Sequence, residues 1–272
     1  GTGDIALTTL GGSISMLSGT VSQASAITLN GTASSGLTNL GTGTTTLNAQ
    51  GSGETLLLSQ SVTSRGAIEF TTAGSLATAT GVSLQATGTG ADITLTATAG
   101  SITLGGDLVS GGSGTSGGLV SLTAGTGITM TDGTVITSVG TSGRANLVAG
   151  GDILVSQIAV TSSVGLRTTG GAIIDNLTGN GNNLVGEAAD AVLYAANGMG
   201  TGSAALRTAL GTLVATNTTA GGVFVTEATG LTVEDTLPPV DAPLGMNLGG
   251  IVEASGRVAL VLTPANALSL GF

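Results

Sequence analysis

Cysteine, histidine, lysine and tryptophan are all missing from the 272 residues, and each absence closes off a class of chemistry. Without cysteine there is no disulfide framework, no thiolate metal site and no thiol nucleophile. Without histidine there is no Ser-His-Asp triad and no imidazole ligand. Without lysine, Schiff-base chemistry, Lys–Asn isopeptide links and the Gly-Lys-Ser/Thr ending of a phosphate loop are excluded. Charge is sparse and mostly negative, 15 acids against 5 arginines, so little here neutralises a phosphate backbone and nucleic acid is not an expected partner. No apolar run approaches the ~20 residues of a membrane-spanning helix. Aromatic residues make up 1% of the chain. A wide globular core draws its volume from such rings; an interior one side chain deep from each wall does not need them.

What the chain does have is glycine, 49 residues of it, and a 40% hydrophobic content that is almost wholly Val, Ile, Leu and Ala. These are arranged as a repeat. Between Ala91 and Thr161 one unit is written three times, as ADITLTATAGSITLGGDLVSGG, GGLVSLTAGTGITMTDGTVITS and GRANLVAGGDILVSQIAVTS. Superposition aligns Leu95, Leu122 and Leu147, then Ile102, Ile128 and Ile153, then Val109, Val135 and Ile158. A period of about 25 residues made of short strands and Gly/Ser/Thr/Asp turns is the signature of a solenoid. Period two within a strand places Ile93, Leu95 and Ala97 on the inner face and Asp92, Thr94 and Thr96 on the outer one. Leu95, Leu122 and Leu147 are therefore predicted to form one inward column, in a rod of about nine or ten coils and ~45 Å.

Strand-like triplets extend the pattern from Ile5-Ala6-Leu7 through Ile27-Thr28-Leu29, Leu47-Asn48-Ala49 and Ile68-Glu69-Phe70 to Leu166-Arg167-Thr168 and Ile173-Ile174-Asp175, where the spacing shortens to about 19 residues. GGSGTSGG at 111–118 reads as a loop insertion. Beyond Asn183 the texture changes. Ser203 to Leu213 is predicted as a short helix, capped by Ser203 with Leu206, Leu210 and Leu213 on one side. Tyr194 and Phe224 are predicted core fillers. Residues 1–234 are thus expected to form the solenoid, irregular from about 184. Residues 235–272 are expected to be an extension broken by Pro238-Pro239 and Pro243, with strands at Ile251–Ala254 and Arg257–Leu262. Val258, Leu260 and Leu262 alternate, as do Leu268, Leu270 and Phe272, so this tail is expected to fold back on its own rod or dock on a neighbour. The opening GTGDIALTTL lies inside repeat pattern without an initiator Met, and the expectation is a mature or excised piece of a longer precursor.

The GDI-x-L and GSI-x-L strands, the SLTAGTGI junction and the block AVLYAANGMG…ALRTALGTLVATNTTAGGVFV resemble filamentous-haemagglutinin-like bacterial surface proteins of the two-partner-secretion type. The resemblance covers about residues 1–234. It implies an all-β, right-handed parallel β-helix with three short strands per coil, exported to the cell surface or the extracellular space. The Asn-Pro-Asn-Gly type of motif of that family's secretion domain is absent, which marks the segment as stalk.

The acids are spread about one per coil, and Asp4, Asp92 and Asp152 each precede an Ile at a strand start. Capping of a turn through the side chain is the reading adopted for them. A catalytic carboxylate pair and a weak calcium site at a stacked corner are the alternatives; the Gly-rich segment lacks the Asp of a calcium-binding repeat. Asn176-Leu177-Thr178 and Asn217-Thr218-Thr219 match glycosylation sequons. No catalytic, metal-binding or cofactor-binding residue is assigned. The expectation is a non-enzymatic structural or adhesive rod, with contact to a cell surface or glycan and self-association into filaments as its partners. A fibre subunit joined by strand addition or end-to-end stacking is the structural alternative. A polysaccharide-processing β-helix enzyme is the catalytic one.

Overall fold

The computed structural model describes residues 5–16, 27–35, 37–39, 42–49, 55–58, 61–112, 116–234, 251–254, 256–262 and 268–270. The described residues are all-β and contain no helix. Their strands pair in parallel into a 21-stranded and a 6-stranded sheet, with paired residues about 20 to 30 apart in sequence up to Val233 and about 36 apart where Ile251–Glu253, Arg257–Leu262 and Leu268–Leu270 join. This is a solenoid-like arrangement in which each stretch of chain lies on the one before it.

Alternation explains the strands. Ile93–Ala97 buries Ile93, Leu95 and Ala97 and leaves Thr94 and Thr96 half-exposed on the outer face. Parallel register then places like on like. Leu29, Leu47, Phe70, Leu95, Leu122, Leu147, Leu166, Leu193, Ala215 and Ile251 follow one another in a single column. A second column runs through Leu56, Leu76, Ile102, Ile128, Ile153 and Ile173 and passes by bridges through Met199 to Val223. The predicted alignments of Leu95, Leu122 and Leu147 and of Ile102, Ile128 and Ile153 are both found. β-Branched and γ-branched aliphatics suit this pleated wall, and every buried member removes its whole side chain from water.

The third column differs from the expected one by a residue. Leu108 pairs with Ile136 and Ile136 with Ile158, while Val109 faces Thr137 and Val135 faces Gln157. Leu108, Ile136 and Ile158 are fully buried, and Val109 and Val135 lie half-exposed on the outside. Each pair, Leu108-Val109 and Val135-Ile136, is apolar at both positions, so alternation alone does not decide which member turns inward. Farther along, this column becomes polar: Leu184 aligns with Thr208, Thr208 with Glu227, and Glu227 with Leu262.

The helix expected over Ser203–Leu213 is a strand instead, Leu206–Asn217, and Ser203 lies in the turn before it. Its neighbours decide the matter. Strands Leu184–Ala195 and Gly222–Glu227 offer parallel partners on either side, and ladder pairing overrides a weak local helix preference. Tyr194 and Phe224 are not core fillers. Both are half-exposed on the outer face, while Leu193, Val223 and Val225 point inward beside them. The interior is aliphatic, with Phe70 its largest fully buried side chain.

After Val233 and Glu234 the strands resume. Ile251–Glu253 pairs with Ala215–Asn217, Arg257–Leu262 with Gly222–Glu227, and Leu268–Leu270 with Leu231–Val233, all in parallel. These strands lie on the chain's own rod. The Pro238-Pro239, Pro243 and Phe272 positions fall outside the described residues.

Candidate functional site

The acidic side chains act mainly between layers. Asp92 Oδ1 accepts the backbone N–H of Leu119 at 2.7 Å, Asp107 Oδ1 that of Val135 at 2.8 Å, and Asp152 Oδ1 that of Ala172 at 2.8 Å. In each case the donor lies at the start of the matching strand one layer on, Leu119 and Val135 as its first residue and Ala172 just before Ile173. The Asp therefore caps the next strand rather than its own turn, and it locks the stagger between layers. Asp4 lies outside the described residues. Among the described residues no group of three or more carboxylates is placed to hold a metal ion.

Two concavities lined by described residues mark the outer surface. The first is a notch of about 390 Å³ where the turns Ala79–Val82 and Thr131–Thr134 stand out on either side of a flat corner at Gly105-Gly106. Gly133 (φ 81°) lets the second turn close with Thr134 N–H donating to Thr131 O at 3.0 Å. At Gly106 the reason for glycine is space: an added Cβ would lie 2.4 Å from Val82 O of the preceding layer. Asp107, Asp132, Gln85, Thr80 and Ser83 supply the polar lining. The Asp132 carboxyl is held below its ordinary 3.8, first by the Thr178 hydroxyl and then by the Thr178 N–H, with the Gly133 N–H adding less than desolvation removes. Thr178 N–H donates to Oδ1 at 2.8 Å and Thr178 Oγ1 to Oδ2 at 2.5 Å. A carboxylate so occupied is an anion with its acceptors engaged. The general acid of a glycosidase needs the opposite shift, upward.

The second concavity, about 420 Å³, lies between the loop after Asp175 and the turn at 202–205. Its wall is an ion pair, Arg207 Nη2 to Asp175 Oδ2 at 3.2 Å, with side chains 20% and 11% exposed. Arg207 also donates to the carbonyls of Leu177 and Gly179. Asn183 lies fully buried beneath: its Nδ2 reaches Asp175 Oδ1 at 2.7 Å, and its Oδ1 accepts Arg207 N–H at 2.9 Å. This cluster binds its own loop. The loop in turn reaches back two layers, Asn176 Nδ2 donating to Met130 O at 2.7 Å and Thr178 holding Asp132. It bridges a layer whose corner is reduced to Ser156, between strands Ile153–Val155 and Gln157–Ala159.

Both sequons are thereby used internally. The Asn176 amide is engaged as above. Asn217 is 1% exposed, with Oδ1 accepting Gly198 N–H at 2.8 Å and Nδ2 donating to Ala220 O at 2.7 Å and Glu253 Oε2 at 2.8 Å. Of the GGSGTSGG insertion, Gly111-Gly112 and Ser116–Gly118 are described and form a loop. The Tyr194 ring lies beside Arg167, its centroid 5.9 Å from the guanidinium carbon. No helix of the described residues is long and apolar enough to cross a membrane.

Sequence reasoning missed Glu227, which is fully buried and forms no ion pair among the described residues. Its oxygens accept from Thr208 Oγ1 at 2.6 Å, Thr229 Oγ1 at 2.6 Å, Thr229 N–H at 2.8 Å and Leu210 N–H at 3.2 Å. The signal available was the run Val223–Glu227 itself, where alternation puts Glu227 on the face of Val223 and Val225. No protein-family model, curated protein or solved structure matches the chain.

Proposed function

We propose that the chain is a right-handed parallel β-helix of three short strands per coil, serving as a non-enzymatic structural or adhesive rod of a bacterial surface protein. The observation that carries this reading is the unbroken register of like residues from Leu29 to Ile251 along one column. Such a column makes a stiff rod, because each layer closes its backbone hydrogen bonds on the next and buries aliphatic side chains against it. The polar groups that do converge, at Asp132 and at Asp175–Arg207, spend their hydrogen bonds on the chain's own turns. That use favours a scaffold over a catalyst. The resemblance to filamentous-haemagglutinin-like stalks supports the extracellular setting.

Negative-stain electron microscopy of the purified protein tests the reading. A rod supports it, about 25 Å wide as ~25 residues per layer at ~3.3 Å each require and about 50 Å long as ~4.8 Å per layer requires. Round particles overturn it. Long filaments would favour the fibre-subunit reading, for which the exposed Val258 (46%) and Val261 (54%) on Arg257–Leu262 give an apolar strand. Turnover of a panel of surface polysaccharides would overturn the non-enzymatic part.

A further inference from the structure

One outer column changes character along the rod. Glu69, Thr94, Ser121, Asn146, Gly165, Val192 and Val214 follow one another in register on the face turned away from the core. Glu69 is exposed and Thr94, Ser121 and Asn146 are half-exposed, as an outer face should be. Gly165 is buried, however, and Val192 and Val214 are 3% and 0% exposed. These two valines form a hydrophobic cluster of their own, separate from the interior. Two side chains in one column cannot take each other to such burial. An outer sheet face that is apolar and dry needs an occupant.

The strand register identifies the place it comes from. Leu213 pairs with Val233 and Ala215 with Ile251. The next layer therefore runs in register up to Val233 and again from Ile251, and it is interrupted at the single ladder position opposite Val214. The chain leaves the layer after Val233 and re-enters it at Ile251, so the 17 residues from Glu234 to Gly250 are inserted in sequence at that position. The inserted sequence is EDTLPPVDAPLGMNLGG. Its prolines at 238, 239 and 243 lack the N–H that a ladder position uses. Leu237, Val240, Leu244, Met246 and Leu248 give it an apolar content that water does not favour. Thr216 Oγ1 and Arg167 Nε border the column, buried and without hydrogen-bond partners, so carbonyl or carboxylate acceptors suit its rim. We infer that the outer face over Gly165, Val192 and Val214 is a docking surface and that its occupant is the chain's own segment 235–250. From Val214 to Gly165 is two layers, about 10 Å, well within the reach of that segment.

The absence of cysteine makes the test clean. Val214→Cys introduces the sole thiol, and its reaction with a thiol reagent is followed in the full chain and in a variant with residues 234–250 replaced by one threonine, which leaves a continuous strand. The expected result is a thiol at least ~10-fold slower than in the denatured full chain and restored to near that rate by the replacement, with the β-sheet circular dichroism spectrum kept in both. A fast thiol in the full chain overturns the proposal, as does a thiol that stays protected after the replacement. Protection that rises with protein concentration assigns the face to a second copy and also overturns it. Should the replacement variant fail to fold, Val214→Cys is combined in the full chain with Leu237→Cys, Val240→Cys, Leu244→Cys or Met246→Cys and oxidised. An intramolecular disulfide in at least one pair supports the docking; none, or disulfides that only join two chains, overturns it.

Discussion

Leu122 lies between Leu95 and Leu147, fully out of contact with water. Leu122→Ala leaves a void that stacked backbones cannot close, and a loss of about 2–5 kcal/mol is expected. Leu122→Asp puts an unpaired charge there and should cost more. Thermal melts of the two variants check this, and an unchanged melt for the Asp variant would contradict the register. That column was legible from sequence because Leu95 and Leu122 are flanked by polar residues on both sides, and the repeat alignment carries the same position to Leu147, which has Val148 beside it. At Leu108-Val109 and Val135-Ile136 it was not, since both members are apolar and the turn before the strand sets which one enters. Glu227 was illegible for another reason: a buried carboxylate contradicts composition rules until its four hydrogen bonds are seen. Glu227→Ala strands the donors of Thr208, Leu210 and Thr229, each unsatisfied group costing about 1–3 kcal/mol. Glu227→Gln keeps an acceptor and should melt between that variant and the parent.

The loop after Asp175 is held by charge and amide contacts from three layers, a pattern that local sequence does not announce. Arg207→Ala leaves the Asp175 carboxylate largely buried without its cation, and about 3 kcal/mol of destabilisation is expected. The double variant with Asp175→Ala should recover part of this, since the stranded charge is then gone. Thr178 adds a pH dependence through Asp132. Its carboxyl is lowered from 3.8 in the fold, so the clasp contributes in full above 3.8 and is lost as the pH falls through that lower folded value. Hydrogen exchange at 176–182 should therefore show the loop closed from pH 7 down to about 4. Below that its protection should fall in the parent relative to Asp132→Ala, which lacks the clasp at every pH. If the difference between the two stays constant below pH 3, Asp132 is not the anchor. Neither sequon was legible as internal wiring, because Asn176 and Asn217 find their partners in Met130 and Glu253, 46 and 36 residues away.

For the whole molecule, the pairing pattern means that each layer supports chiefly its two neighbours. Stability in such a stack is the sum of layer terms and interfaces, and unfolding can stop where an interface is weak. Most interfaces are alike, with five or six paired positions at Ile93–Ala97, Leu119–Ala124, Arg144–Ala149 and Ser163–Thr168. The loop at 176–182 is different, because it ties the layer of Asp175 to that of Met130 across an intervening one. A break within the tied region is thereby opposed, whereas one on the side of Leu56 and Val62 is not. Leu76→Asp should thus free its own layer and those preceding it while the amides of Ile153–Val155 and Ile173–Asp175 keep their exchange protection. Ile153→Asp, placed inside the tied region, should lower protection on both sides of itself. Equal loss of protection along the whole chain in both variants would show a single cooperative unit and refute the layered account. EDTA should leave the melt of the parent unmoved, since its layers are joined by backbone and by single Asp caps such as Asp92, Asp107 and Asp152. A drop in melting temperature with chelator would place a cation between those layers instead.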